Sequence, residues 1–197
     1  DIADARPTFW LVCAILFIIT KYVPVPFAPV HLLFINLLTD SLPALAIGTE
    51  KSDRGLLAEQ PRDTKEGILT GNFIFHLFGY GMMIAIVTMT AFYIGLQSDA
   101  MTASTMAFAT LTLARLFHGF NCRGKKMIFR LGLFTNKWSI AAFLAGVGLL
   151  GIVLWMPALS GVFEVSALSI AQAGMIALLA AVPTLCIQVT RTILGRE

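Results

Sequence analysis

The sequence predicts an all-α protein, a polytopic membrane bundle of six transmembrane helices with both termini on the cytoplasmic side. Three observations carry that expectation. Mean hydropathy is +0.83, and of 197 residues 57% are hydrophobic and only 13% charged, the balance of a multi-spanning membrane chain. The apolar residues fall into six runs suited to crossing a hydrocarbon layer ~30 Å thick as helix. Lys and Arg gather in alternate connections, which orients the runs. The net charge of +3 is too small to argue for nucleic acid.

The first run, residues 7–23, is a short span, and Pro24, Pro26 and Pro29 then make a tight connection. The second span covers 27–48. Residues 49–70 are polar, carry both signs of charge and contain Gly55, Pro61 and Gly67, so they form an exposed cytoplasmic loop. The third span, 72–96, holds Gly79 and Gly81, expected to permit close helix contact. A small polar turn at Gln97, Ser98 and Asp99 leads to the fourth span, 101–120. A basic loop follows with Arg123, Lys125, Lys126, Arg130 and Lys137, in which MIFRLGLF reads as an interfacial amphipathic piece. The fifth span, 138–155, begins and ends in Trp, as suits the headgroup region. Residues 157–167 lack Lys and Arg. The sixth span, 168–189, accommodates Pro183 and carries Gln172 and Thr184 as expected interhelical hydrogen-bond formers. Lys51, Arg54, Arg62 and Lys65 follow the second span, and Arg191 and Arg196 the sixth, against Lys21 alone on the other side. The positive-inside rule makes the charged loops and both ends cytoplasmic. Residues 1–197 are read as a single membrane domain with an abrupt start, as of a fragment, and with 49–70 as its main loop.

Two groups are expensive in lipid. The second span, FAPVHLLFINLLTDSLPALAIG, has Asn36, Thr39, Asp40 and Ser41 near its middle and Pro43 just behind. A carboxylate there costs roughly 2.5–3.5 kcal/mol on insertion scales. A bound cation, a proton or a partner side chain offsets such a cost. Asn36 and Asp40 are four apart and share a helix face. Pro43 has no N–H for the Thr39 carbonyl, which is left free. Amide, hydroxyl, carboxylate and carbonyl oxygens are the ligands hard cations prefer. The competing reading is a kinked packing helix whose Asp is protonated or paired. Arg115, in TMAFATLTLARLFHGFN, cannot lose its charge and needs an anion or water; its alternative is snorkelling to lipid phosphates. His31, His76 and His118 are isolated and read as core or interface residues, with His118 and Asn121 spaced for a hydrogen-bonded cap. Cys13, Cys122 and Cys186 show no metal-ligand spacing and no disulfide framework.

The run HLLFINLLTDSLPALAIGTE, followed by GLLAEQPRDTKEGIL, resembles the sixth membrane helix and next cytoplasmic loop of type II P-type ATPases, the calcium pumps of the sarcoplasmic-reticulum kind and their bacterial relatives. Asn36, Leu37, Thr39, Asp40, Leu42, Pro43 and Ala44 match N-L-x-T-D-x-L-P-A, and Pro61, Arg62 and Glu66 match P-R-x-x-x-E. The resemblance runs to the C-terminus and implies the last six membrane helices of such a pump. It implies that Asn36, Thr39 and Asp40 are metal ligands, for Ca2+ first, although sodium, magnesium, manganese or protons fit the same oxygens. Pro43 is then the helix break. Arg115 falls where two-ion pumps carry a cation-binding Glu, so it acts as a counter-charge and leaves one ion per cycle. Leu11 and Thr8 stand where the pumps have a liganding Glu and Asn, which removes the other site. Arg62, Lys65 and Glu66 are the candidates for contact between a coupling loop at 49–70 and the phosphorylation domain.

The D-K-T-G phosphorylation motif and a P-loop are not in the sequence, so these residues alone do not hydrolyse ATP. ATP and Mg2+ belong to the full-length pump. The expected partners are the lipid bilayer and the pump's remaining helices and cytoplasmic domains, in the plasma membrane if the source is bacterial. A rival reading is a stand-alone six-helix membrane protein that assembles with or regulates a pump without transporting. A secondary transporter predicts an inverted repeat, and none is evident.

Overall fold

The computed structural model describes residues 24–39, 41–50, 71–124, 132 and 135–193. Among them every regular element is helical. Five stretches are long and apolar enough to cross a membrane: Pro29–Gly48, Phe73–Gly95, Ala100–Asn121, Lys137–Trp155 and Ile170–Ile193. They correspond to the second to sixth predicted spans. The first predicted span, Asp40, the loop residues Arg62, Lys65 and Glu66, and all of MIFRLGLF except Gly132 lie outside the described residues.

The second span is built in pieces: α1 (Pro29–Phe34), a π-helical turn (Ile35–Thr39) and α2 (Ser41–Gly48). Pro29 opens α1, at a position whose N–H would have no helical partner. Then come α3 (Gly71–Gly95), α4 (Ala100–Asn121), α5 (Lys137–Trp155), the short α6 (Pro157–Ser160) and α7 (Ile170–Ile193). Its 19 residues make α5 about 28 Å long, and Trp138 and Trp155 are exposed at its two ends.

Side-chain caps fix where the helices start. The Asp99 carboxylate accepts from the Thr102 N–H at 2.8 Å and the Thr102 hydroxyl at 2.7 Å, and the Thr102 N–H is the main cause holding its pKa below the ordinary carboxylate value. Asn136 caps α5 by accepting from the N–H groups of Trp138 (3.0 Å) and Ser139 (3.2 Å). At α7 the Ser169 N–H donates to Gln172 Oε1 at 2.8 Å and the Gln172 N–H to Ser169 Oγ at 3.2 Å. This reciprocal pair is a capping box. It corrects two expectations. The sixth span starts at Ile170, not 168, and Gln172 serves its own helix terminus instead of a neighbouring helix.

The hub is α4, which packs against α3, α5, α7, the π turn and α2. It is the least hydrophobic of the five spans and the most buried. Alanines 103, 107, 109 and 114 are fully buried along it, and small side chains let neighbouring backbones approach. One close approach is at Gly95, where an added Cβ would lie 2.5 Å from Ala103 Cα. Gly79 and Gly81, expected to mediate such contact, have no described atom within 4 Å of a Cβ placed there. Phe34, Ile35, Met106, Phe108, Leu150 and Ile176 form the centre of the core.

Candidate cation site and its supports

The second span is held at its N-terminal end by His31. The imidazole is buried and stacks on Phe108, with ring centroids 4.4 Å apart and planes 15° from parallel. Its Nδ1 accepts the Ala28 N–H at 3.2 Å, so the proton sits on Nε2, which donates to the Phe163 carbonyl at 2.6 Å. The loop between α6 and α7 is thereby tied to the start of α1. His31 is a structural residue.

Next in the chain is the π turn. Such turns insert an extra residue into a helix and disturb its hydrogen-bond ladder. The sequence placed the break at the Thr39 carbonyl because of Pro43; the turn that ends at Thr39 adds an irregularity the pattern did not reveal. With α2 restarting at Ser41, Pro43 falls in its first turn, where N–H groups have no helical acceptor in any case. Asn36 lies on the π turn and is exposed. Thr39 closes the turn.

The register between this span and α4 follows from two contacts. Phe34 meets Phe108 edge-on at 5.5 Å, and a Cβ added at Gly119 would lie 3.2 Å from Pro43 Cβ. The two run in the same direction. Arg115 is one turn before Gly119 on the same face of α4, so it comes level with the end of the π turn. Arg115 is half-buried. The structure therefore brings the helix carrying Arg115 against the broken span, at the height of the break. Among the described residues, no three His, Cys, Asp or Glu side chains group to hold a metal.

The C-terminal end of the span carries a polar cluster that the sequence pattern does not reveal. Arg123 is bidentate to Glu50, Nε to Oε2 and Nη2 to Oε1 both at 2.9 Å. Asn136 Nδ2 donates to Glu50 Oε2 at 2.8 Å and to the Ala46 carbonyl at 3.0 Å. The Arg123 hydrogen bonds are the largest influence on Glu50 and, with Asn136, hold its pKa below the ordinary value against the opposing effect of burial. The sequence places Arg123 among the cations of a basic loop; its side chain is 1% exposed. The available signal was Asn136, an N-cap residue type just before an apolar run. Beside this cluster, Asn121 joins α4 to α7: its Nδ2 donates to Thr184 Oγ1 at 3.2 Å, and Gln188 Nε2 donates to its Oδ1 at 2.5 Å. Thr184 is thus an interhelical partner, as expected. The His118 contact to Asn121 is long, 3.5 Å.

The helices define an integral, multi-pass membrane domain. Residues 24–193 match the family described as Cation transporting ATPase, C-terminus, and the chain belongs to that family. It is 35% identical over 177 residues to Calcium-transporting ATPase 1 of Bacillus cereus, covering 80% of this chain and 20% of that protein. With Calcium-transporting ATPase of Bacillus subtilis the identity is 31% over 176 residues, covering 88% and 20%. With mouse Calcium-transporting ATPase type 2C member 1 it is 30% over 150 residues, covering 75% and 16%. The chain spans about a fifth of the length of these bacterial relatives. The motif resemblance holds for the C-terminal region as a whole.

Proposed function

We propose that this chain is the cation-binding part of the transport domain of an ATP-driven calcium pump. The observation that carries the reading is the polar, π-distorted break in the second span, which packs against the helix bearing Arg115 at the same height. Asp40 supplies the charged ligand, Asn36 and Thr39 supply neutral oxygens, and Pro43 breaks the helix beside them. Arg115 provides a fixed positive charge near the site, which disfavours a second divalent ion and serves as counter-charge when the site is empty. One Ca2+ per cycle follows. The exposure of Asn36, Leu33 and Leu37 supports a face that other helices of the pump complete.

The remaining parts of this reading come from the relatives and the motifs. Residues 1–197 act as one membrane domain, and 49–70 is the coupling loop, with Arg62, Lys65 and Glu66 in contact with a phosphorylation domain. ATP and Mg2+ are handled by cytoplasmic domains of the full-length protein. The membrane is the plasma membrane if the source is bacterial. The test is Asp40→Asn in the full-length pump, with phosphorylation by ATP measured against Ca2+ concentration. Loss of Ca2+-dependent phosphorylation is expected; unchanged Ca2+ affinity would refute the assignment.

A further inference from the structure

We propose that Glu50, held by Arg123 and Asn136, is a positioning residue that sets cation affinity by fixing the C-terminal end of the broken span against α4 and α5. The proposal rests on the cation-site reading above.

Glu50 follows α2 by two residues and is the meeting point of three elements. Arg123, two residues past α4, grips both carboxylate oxygens. Its Nη2 also donates to Thr135 Oγ1 at 3.0 Å and its Nη1 to the Gly132 carbonyl at 3.4 Å. Exposed ion pairs contribute little, but this guanidinium is buried and its pairing is bidentate, the geometry that makes such pairs strong and directional. Asn136 faces two ways. Its oxygen caps α5, while its amide nitrogen donates to Glu50 and to Ala46. The Ala46 carbonyl is among the last of α2; it takes the Thr49 N–H at 3.2 Å, the Thr49 hydroxyl at 2.7 Å and the Asn136 amide at 3.0 Å. The C-terminus of one helix and the N-terminus of another are thereby joined through one side chain.

The position of this clamp makes it more than a local brace. The opposite end of the span is tied by His31 to the Phe163 carbonyl. Between the two holds, the π turn is the irregular piece. The intervening α2 is a rigid rod of 8 residues, about 12 Å long. It rests on α4 through Pro43 and Gly119. Releasing Glu50 frees α2 to slide or rotate on α4, which alters the placement of the break relative to Arg115. Ligand sites depend on placement to about half an ångström, so cation affinity falls. A merely structural role lowers stability and yield and leaves the cation dependence of surviving molecules unchanged.

The experiment compares wild type, Glu50→Gln and Asn136→Ser in the full-length pump, reading phosphorylation by ATP against Ca2+ concentration. Glu50→Gln keeps shape and removes the charge. Asn136→Ser keeps a side-chain oxygen to cap α5 and removes the donors to Ala46 and Glu50. The Ca2+ concentration at half-maximal phosphorylation is expected to rise roughly 2- to 30-fold in Glu50→Gln, with Asn136→Ser at the lower end of that range, the span commanded by residues that couple to a site without touching the ligand. Full phosphorylation is expected at saturating Ca2+. If Glu50→Gln does not accumulate in the membrane, Asn136→Ser decides alone. Half-maximal concentrations unchanged from wild type, whatever the thermal stability, overturn the proposal. If Asp40→Asn abolishes the Ca2+ response in that case, the clamp alone is refuted. A wild-type pump indifferent to Ca2+ refutes the underlying reading and the clamp with it.

Discussion

Replacing Gly95 by Ala should push apart α3 and α4, the helix pair that packs most extensively. An added Cβ would lie 2.5 Å from Ala103 Cα, 2.9 Å from Ala103 N and 3.1 Å from the Thr102 carbonyl oxygen. Carbon atoms pack at about 3.5–4.0 Å, so α3 and α4 must part by about 1 Å. All three obstructing atoms are backbone, and no rotamer change can move them aside. Overpacking of this kind costs typically 1–3 kcal/mol. Ala returns up to ~1 kcal/mol over Gly inside a helix, but Gly95 is the last residue of α3 and the return is smaller there. A net loss of about 1–2 kcal/mol is expected, a factor of roughly 5–30 in the folded population. Thermal unfolding of the purified protein in detergent measures it. Gly79→Ala and Gly81→Ala serve as controls: with no described atom within 4 Å, they should be neutral or stabilising by about 0.4–1 kcal/mol. If Gly95→Ala unfolds at or above the temperature of Gly81→Ala, the close approach at Ala103 is wrong.

Two further predictions follow from the ends of the second span. His31→Phe keeps a ring to stack on Phe108 but leaves the Ala28 N–H and Phe163 carbonyl without their partner; a loss of about 1–3 kcal/mol is expected, and an unchanged thermal midpoint would show that these bonds contribute nothing. Glu50 predicts an acid limb. Its pKa is lowered in the folded protein from the ordinary 4.5, so its stabilisation is complete above that value and is lost as pH falls through the folded-state pKa. Asp99, also lowered, adds to the same limb. Thermal midpoints measured across this acidic range should fall less steeply in Glu50→Gln than in wild type; equal slopes would remove Glu50 from the linkage.

The parts of the fold that were legible in the sequence are those decided within one segment. Apolar run length located the second to sixth spans to within a few residues, and Trp138 and Trp155 marked the ends of α5 because an amphipathic ring at the headgroup level is a local requirement. The family was legible from the N-L-x-T-D-x-L-P-A run. What failed depended on two segments at once. Gly79 and Gly81 look like contact residues by composition, yet among the described residues the close approach is at Gly95, with Ala103 opposite it. Gln172 looked like an interhelical residue because a membrane-embedded amide needs a partner; that partner was Ser169, three residues back, in a capping box that could have been read from the S-x-x-Q spacing. Arg123 groups with the cations of the basic loop because nothing local identifies Glu50, 73 residues earlier, as its partner.

Hydropathy does not reveal which helix is central. The second span drew attention because a carboxylate in a run of Leu and Ile is conspicuous. Yet α4 organises the bundle, and it is the least hydrophobic span for a physical reason. A helix must be apolar on the face it shows to lipid, whereas a helix surrounded by other helices is relieved of that demand and can carry Thr, Ser, Asn and Arg. Thr102 is answered by Asp99 and Ser166, Ser104 by the Pro26 carbonyl, and Asn121 by Thr184 and Gln188. Polarity in α4 is thus a mark of burial within the protein. The same relief allows α4, packed against the broken span, to carry Arg115 half-buried within the bundle.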